Sequence, residues 1–444
     1  MTLPVIGVEI DFSSSPSFGF PFILDSSSYG ILGTNILADG PLDLVDVTSQ
    51  VRRVSTRRGR NRILSQFEAG TATVTLNDPN SNFNPQNENS QYWDPITDST
   101  KVLPLRKIRI YATTQLGAQS VQITLFSGYI TSYDTSFYQG TDADATVTLQ
   151  CVDGFRLLTN VSTEIPPVPG CTTAQLSGER VGELLNFGGW PTSMMELDAG
   201  DSIMQPDPGG NRSILAAVQQ VEQSEFGAFV MTRNGKARFL DRNSVSLLAD
   251  ADPLLYSDTT TPGPLTYPYV NVDFAYDDQL ILNDVTATRY APTGTIPAPV
   301  PQTVTNQASI DIYSYKSGQR SNLLVLTDQE ANDQAATIIA ARKFANQRID
   351  SMFLNLNSDI DEINTVQNLS LDIYTLINIT KSMPGGSSIT RELFVQGVNH
   401  DVTPGNWTVR VYTAEPIINA FILDSANQGI MALTDPPNTN ALSY

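Results

Sequence analysis

Between Thr71 and Leu76 the chain reads TATVTL, with Ala72, Val74 and Leu76 alternating with Thr71, Thr73 and Thr75. A period of two is the pattern of a strand with one buried and one wet face. KIRIYATT (107–114), VQITLFSGYITSYD (121–134) and ATVTLQCVD (145–153) continue in the same style. Several short strands in a row predict a sandwich or barrel over residues 1–155. The stretch NDPNSNFNPQNENSQYWDP (77–95) is predicted as a long polar loop.

The period then changes. ERVGELLNFGGW predicts a short amphipathic helix ended by Gly188 and Gly189. NRSILAAVQQVEQSEFG puts Ile214, Val218 and Val221 on one helical face, with Gly227 as the stop. AFVMTRNGKARFLDR predicts a β-hairpin around Asn234-Gly235, residue types that accept the positive φ of a tight turn. Together these predict an α+β domain over 156–262. SDTTTPGPLTYPYV (257–270) has the composition of a linker, and TGTIPAPVPQTV (293–304) is a second Pro-rich loop. Thr327 with Glu330 three residues later is a capping box opening a helix through DQEANDQAATIIAARKFANQ. It belongs to a strand- and helix-containing segment, 263–350. SMFLNLN, NLSLDIYTLINIT and ELFVQGVNHDVTPGNWTVRVYT predict strands in a β segment over 351–444. In the last, Trp407, Val409 and Val411 share one face, opposite Thr408 and Arg410. LFSGYITSYD from Leu125 and LFVQGVNHDV from Leu393 echo one another, each followed by an alternating strand. The expected fold is mainly β with an α+β insert: two related β-barrel-like domains plus smaller α+β domains.

Composition sharpens this. The 444 residues carry 46 acids against 26 Lys and Arg, a net charge of −20. Such a surface disfavours duplex nucleic acid, whose binding is driven by counterion release at phosphates. A charged fraction of only 16% beside 40% apolar residues excludes a disordered chain. Cys151 shares a strand face with Val147 and Leu149, which predicts a buried free thiol; Cys171 is the second cysteine, and two make no disulfide framework. The N-terminus lacks the pattern of a secretory signal, so Asn-x-Thr triplets at Asn378 and Asn406 are expected to be chance matches. No apolar run reaches membrane-spanning length, and no membrane insertion is expected.

Candidate chemistry is sparse. The single histidine, His400, is placed by the pattern at a hairpin tip, with no nucleophile motif near it. Asp78–Asn82, DPNSN, begins like a calcium loop, but Phe83 stands where the glycine belongs and Asn89 where the bidentate glutamate belongs. An Asx-turn loop is expected instead. No motif for a cofactor, a metal or a catalytic centre is found, and the chain is expected not to be an enzyme. The dense feature is VRRVSTRRGRNR, 51–62, with Arg52, Arg53, Arg57, Arg58, Arg60 and Arg62. On a strand Arg53, Ser55, Arg57 and Gly59 share one face, and Arg52, Val54, Thr56, Arg58 and Arg60 the other. No aromatic residue is interleaved for base stacking. These arginines are candidates for a subunit or partner interface, where guanidinium forks pair with carboxylates. The alternative is a solvated edge strand blunted by charge.

The segment DVTSQVRRVSTRRGRNRILSQFEAGTATVTLNDPNSNFNP resembles the N-terminal signature of minor tail proteins of long-tailed bacteriophages, the baseplate or tail-tip hub family. LFSGYITSYD, the middle stretches ERVGELLNFGGWP, DSIMQ and ILAAVQQVEQSEFGAFVMTRNGKARFLDR, and the closing ELFVQGVNHDVTPGNWTVRVYT continue the likeness in order. The resemblance implies a homotrimer around a DNA exit channel. In it, two related β units per chain offer six to the ring above. It implies contacts with a distal tail protein ring, the C-terminus of a tape-measure protein, and tail fibre or spike proteins. It also implies residence in the virion, at the tail tip, after assembly in the host cytoplasm. Many hubs continue into a peptidase, lysozyme-like or fibre domain, whereas this chain ends at Tyr444; wall digestion is therefore expected from another protein. A distal tail ring protein, and a receptor-binding or carbohydrate-active tail protein, are the alternatives.

Overall fold

The computed structural model describes residues 3–13, 43–60, 66–137, 145–163, 167–258, 265–291, 298–359 and 361–416. Strands hold about twice as many residues as helices, so the chain is mainly β, and it is multidomain.

Six longer strands and one short one form the first β unit. In sheet order the six are Val5–Asp11, Lys107–Leu116, Gln119–Ser136, Thr146–Val152, Thr71–Asn77 and Val51–Gly59, all antiparallel, and the short Leu44–Asp46 pairs on the outer side of Val5–Asp11. The alternation in the sequence sets which face is buried: Ala72, Val74, Leu76, Val147, Leu149 and Cys151 all lie inside. Cys151 is a buried free thiol, as its strand position predicts.

The second unit repeats this order. Leu254–Ser257, Leu376–Ser382, Ser388–Thr403, Asn406–Ala414, Arg348–Asn355 and Asn271–Ala275 are neighbours in that sequence. Matched strand for strand, the two sets also run in the same order along the chain. One difference stands out: Leu254–Ser257 runs parallel to its neighbour, whereas Val5–Asp11 runs antiparallel. The match extends to single hydrogen bonds. Leu105 N–H donates to Ile130 C=O and Ile130 N–H to Arg106 C=O; Tyr374 N–H donates to Val395 C=O and Val395 N–H to Thr375 C=O. Leu105 and Tyr374 both hold a left-handed backbone, φ 64° and 66°. In each long strand a bulge follows at once, after Ile130 and after Val395. The echo therefore marks the correct pair of strands in the wrong register. Ile130 corresponds to Val395, so Gly128, not Leu125, stands opposite Leu393.

The units join edge to centre. Val54–Gly59 of the first pairs antiparallel with Gly397–Val402 of the second, giving one continuous sheet. One hydrophobic cluster runs through both units, from Val8 to Val411.

Two smaller bodies complete the described chain. Helices Ser177–Phe187 and Ile214–Glu225 pack with the hairpin Ala228–Met231/Ala237–Leu240 around a second cluster. Gly235 has φ 79°, as the Asn-Gly turn requires. Ile214, Val218 and Val221 are buried together, but the helix is stopped by Phe226 in a left-handed conformation, one residue before the predicted Gly227. The second body is an insert between Asn271–Ala275 and Arg348–Asn355. A three-stranded sheet, Gln302–Thr305, Asp284–Arg289 and Ser317–Leu323, packs on helix Asp328–Arg342. Thr327 and Glu330 form the predicted capping box there. NLSLDIYTLINIT is not one strand: Asn368–Ser370 end helix Glu362–Ser370, capped by Asp361, and the strand begins at Leu376. No helix among the described residues is long and apolar enough to cross a membrane.

Candidate functional site

The arginine-rich strand Val51–Gly59 lies at the junction of the two β units. It pairs on both sides, with Thr71–Asn77 and with Gly397–Val402, so it is not the solvated edge its charge suggests. Val54 and Thr56 point inward and are buried, as the period predicts. Gly59 sits opposite Gly397 with φ +88°. A Cβ on Gly59 would lie 2.2 Å from the Gln396 carbonyl oxygen, so only glycine lets the two backbones approach.

Each of the five described arginines has a partner within its own chain. Arg52 donates to Asn77 Oδ1 at 2.8 Å. Arg53 reaches Asp401 with both Nε and Nη2, and Arg57 pairs with Glu68 at 2.7 Å. Both pairs are on the solvent side. Arg58 is different. Its side chain is 8% exposed, 2.9 Å from Asp372 Oδ1, and it donates to the Met231 carbonyl. Arg233 reaches the other Asp372 oxygen at 3.5 Å. Arg60 donates from its backbone to Gln396 C=O and from Nε to Gln396 Oε1, and its guanidinium lies 4.2 Å above the Phe67 ring. Arg62 lies outside the described residues.

His400 is not at a hairpin tip. It lies mid-strand, opposite Thr56 on one side and Val409 on the other, with the turn beyond it at Gly405. It is buried, and its Nδ1 accepts from Trp407 Nε1 at 3.3 Å. Burial, reinforced by Arg58 and Arg233, pushes its pKa down to about 3, against a smaller upward pull from Asp372. The ring is thus a neutral acceptor in the core. Trp190 is likewise buried, its Nε1 donating to Met194 C=O.

Asp78 accepts from the backbones of Asn82 and Phe83, the Asx-type loop expected of DPNSN. Beside the junction a cavity of about 310 Å³ is lined by Arg60, Glu222, Phe226, Arg320, Tyr374 and Phe394, among others. Burial pushes Glu222 up to about 7, although Phe229 N–H, Arg60 and Arg320 pull it back. Burial likewise lowers Arg320 to about 10. This is a place where the two β units and both smaller bodies meet, with charge buried between them.

The partners Asp372, Gln396 and Asp401 carried no local signal. They lie more than 300 residues from the arginines they meet, and only the fold brings them together.

No family model and no curated protein matches the chain. Solved structures do. The tail protein from Neisseria meningitidis MC58 superposes with a TM-score of 0.55 at 11% identity, over 94% of this chain and 98% of that one. The 43 kDa tail protein of prophage MuSo2 from Shewanella oneidensis gives 0.49 at 10% identity, over 86% and 98%. Prophage tail protein gp18 from Listeria monocytogenes EGD-e gives 0.44 at 8%, over 84% and 91%. At such identities the likeness concerns the fold: over nearly its whole length, this chain has the fold of the Neisseria tail protein.

Proposed function

We propose that the chain is a structural protein of a bacteriophage-type tail, the hub at the tail tip, without enzymatic activity of its own. The observation that carries this is the internal repeat: two β units of one strand order in one chain. Three such chains supply six similar units, which fits a six-membered ring of single-unit proteins on one side and a three-fold fibre or spike on the other. The superposition on a tail protein over 94% of this chain and 98% of that one supports the same role. The net charge of −20 suits a channel wall that passing DNA does not adhere to. In this role the chain resides in the virion and contacts the distal tail ring and the tape-measure end.

Light scattering of the purified chain over a range of concentrations tests the proposal. A mass near three chains is expected. Six chains would favour a distal tail ring protein instead. Hydrolysis of peptidoglycan by the pure chain, abolished by a single Asp or Glu substitution, would overturn the non-enzymatic role.

A further inference from the structure

The junction inside the chain is a template for a junction between chains. Within one chain, the sixth strand of the first unit, Val51–Gly59, pairs with the third strand of the second, Ser388–Thr403. The corresponding edges of the opposite kind have no strand partner among the described residues. Asn271–Ala275, the sixth strand of the second unit, pairs only with Arg348–Asn355. Thr131–Ser136, the end of the first unit's third strand, pairs only with Thr146–Val152. Both edges carry an exposed aromatic beside them: Phe137 is 56% and Tyr276 70% exposed. Unpaired edges of this kind are ready to pair with another chain.

We propose that Asn271–Ala275 of one copy pairs antiparallel with Thr131–Phe137 of the next, head to tail. This deepens the hub reading by naming the contact that joins its subunits. The repeat fixes the register. Ile130 corresponds to Val395 by its hydrogen bonds, and Val54 corresponds to Val272, each opposite the core residue of its neighbour, Val74 and Met352. The pairing of Asn271–Ala275 with its own neighbour is irregular after Asp273, where Asp350 has no partner; the extra residue lies in Arg348–Asn355, so the count along Asn271–Ala275 is unbroken. Carrying the Val54–Val402, Ser55–Asp401, Thr56–His400 and Arg57–Asn399 pairs across gives Val272 opposite Phe137, Asp273 opposite Ser136, Phe274 opposite Thr135 and Ala275 opposite Asp134. The buried Val54–Val402 pair is thereby matched by Val272–Phe137, covering a side chain that is otherwise in water. Asp134 and Ala275 occupy a non-hydrogen-bonded position, as Arg57 and Asn399 do, where Cα atoms stand about 4.5 Å apart. A heterologous contact of this type closes into a ring or runs on as a filament.

The test is a full-length Asp134→Cys/Ala275→Cys variant, oxidised and run on a non-reducing denaturing gel. The native Cys151 and Cys171 are buried and do not interfere. A reducible ladder of covalent dimers and trimers is expected, because this spacing lies within disulfide range. Thr135→Cys/Ala275→Cys places its thiols on opposite sheet faces and is expected to give no ladder. A second variant, Thr135→Pro, removes an N–H that the alternation after the bulge directs to the open edge, a position where proline is tolerated. It should keep the native far-UV spectrum and lose assembly to single chains. Three-chain particles that neither cross-link nor respond to Thr135→Pro would overturn the pairing and leave the hub intact. Cross-linked particles of six chains would keep the pairing and overturn the hub. A chain that stays single at every concentration and gives no ladder would overturn the pairing.

Discussion

Arg53 and Arg58 are five residues apart in one strand, yet their ion pairs differ in kind. Arg53–Asp401 is exposed on both sides, 59% and 47%, and solvent and salt screen it. Arg53→Ala should cost less than about 1 kcal/mol in urea denaturation. Arg58 is buried, and its loss leaves Asp372 with Arg233 alone. Arg58→Met should cost about 2 kcal/mol, below the 3–5 of a fully buried broken pair because Asp372 is partly wet. Replacing Arg58 by Ser should disturb the fold as well, because its partners, Asp372 and the Met231 carbonyl, belong to other parts of the core. Two titrating groups set opposite pH trends. Glu222, raised to about 7, contributes stability that is full below about 4.5 and lost as pH rises through 7. His400, lowered to about 3, contributes stability that is full above about 6.5 and lost as pH falls toward 3. Glu222→Gln keeps an acceptor for Phe229 N–H and removes only the first trend. Melting temperatures from pH 4.5 to 8 should therefore rise with pH in the variant relative to the native chain. The alternation of the strand made its inward and outward arginines legible; that Arg58 would find an acid was not, because that acid lies on another unit.

At the scale of elements, the sequence marks local structure well and junctions poorly. The capping box at Thr327, the Asn234-Gly235 turn and the buried stripe Ala72, Val74 and Leu76 are where their patterns put them. All three rest on contacts within a few residues. His400 and the Leu125/Leu393 echo were misplaced because each depends on pairing along the long strand Ser388–Thr403: the strand runs on past His400 to the turn at Gly405, and the echo aligns similar residues three positions away from the hydrogen-bonded match of Ile130 with Val395. Pairing of this kind leaves no periodic trace in the sequence. Gly59 is the element-scale hinge of the junction: Gly59→Ala meets the Gln396 carbonyl in a left-handed backbone. A loss of more than about 2 kcal/mol is expected in chemical denaturation, from strain added to clash. Leu105 makes the opposite case. It holds φ 64° with its side chain 43% exposed. Leu105→Gly should raise stability by about 1 kcal/mol. Tyr374 shares that backbone but packs edge-on against Phe394, so Tyr374→Gly should be destabilising.

For the molecule as a whole, the repeat was visible in the sequence as two β-rich ends, but its extent was not. The second unit takes its strands from both sides of an insert, and of the short strands before it Thr266–Pro268 falls wholly within the stretch that reads as a linker. That insert has no counterpart in the first unit. Residues 276–347 stand where the first unit has only 60–70, between its corresponding strands. A closed ring of alternating units would carry six units of one strand order but a single insert on every other unit. Such a particle is a symmetry adaptor: neighbours that grip the sheets meet six equivalent sites, and neighbours that grip the inserts meet three. In such a ring the step from six to three would lie within one polypeptide, which carries two units of one strand order and an insert in only one of them.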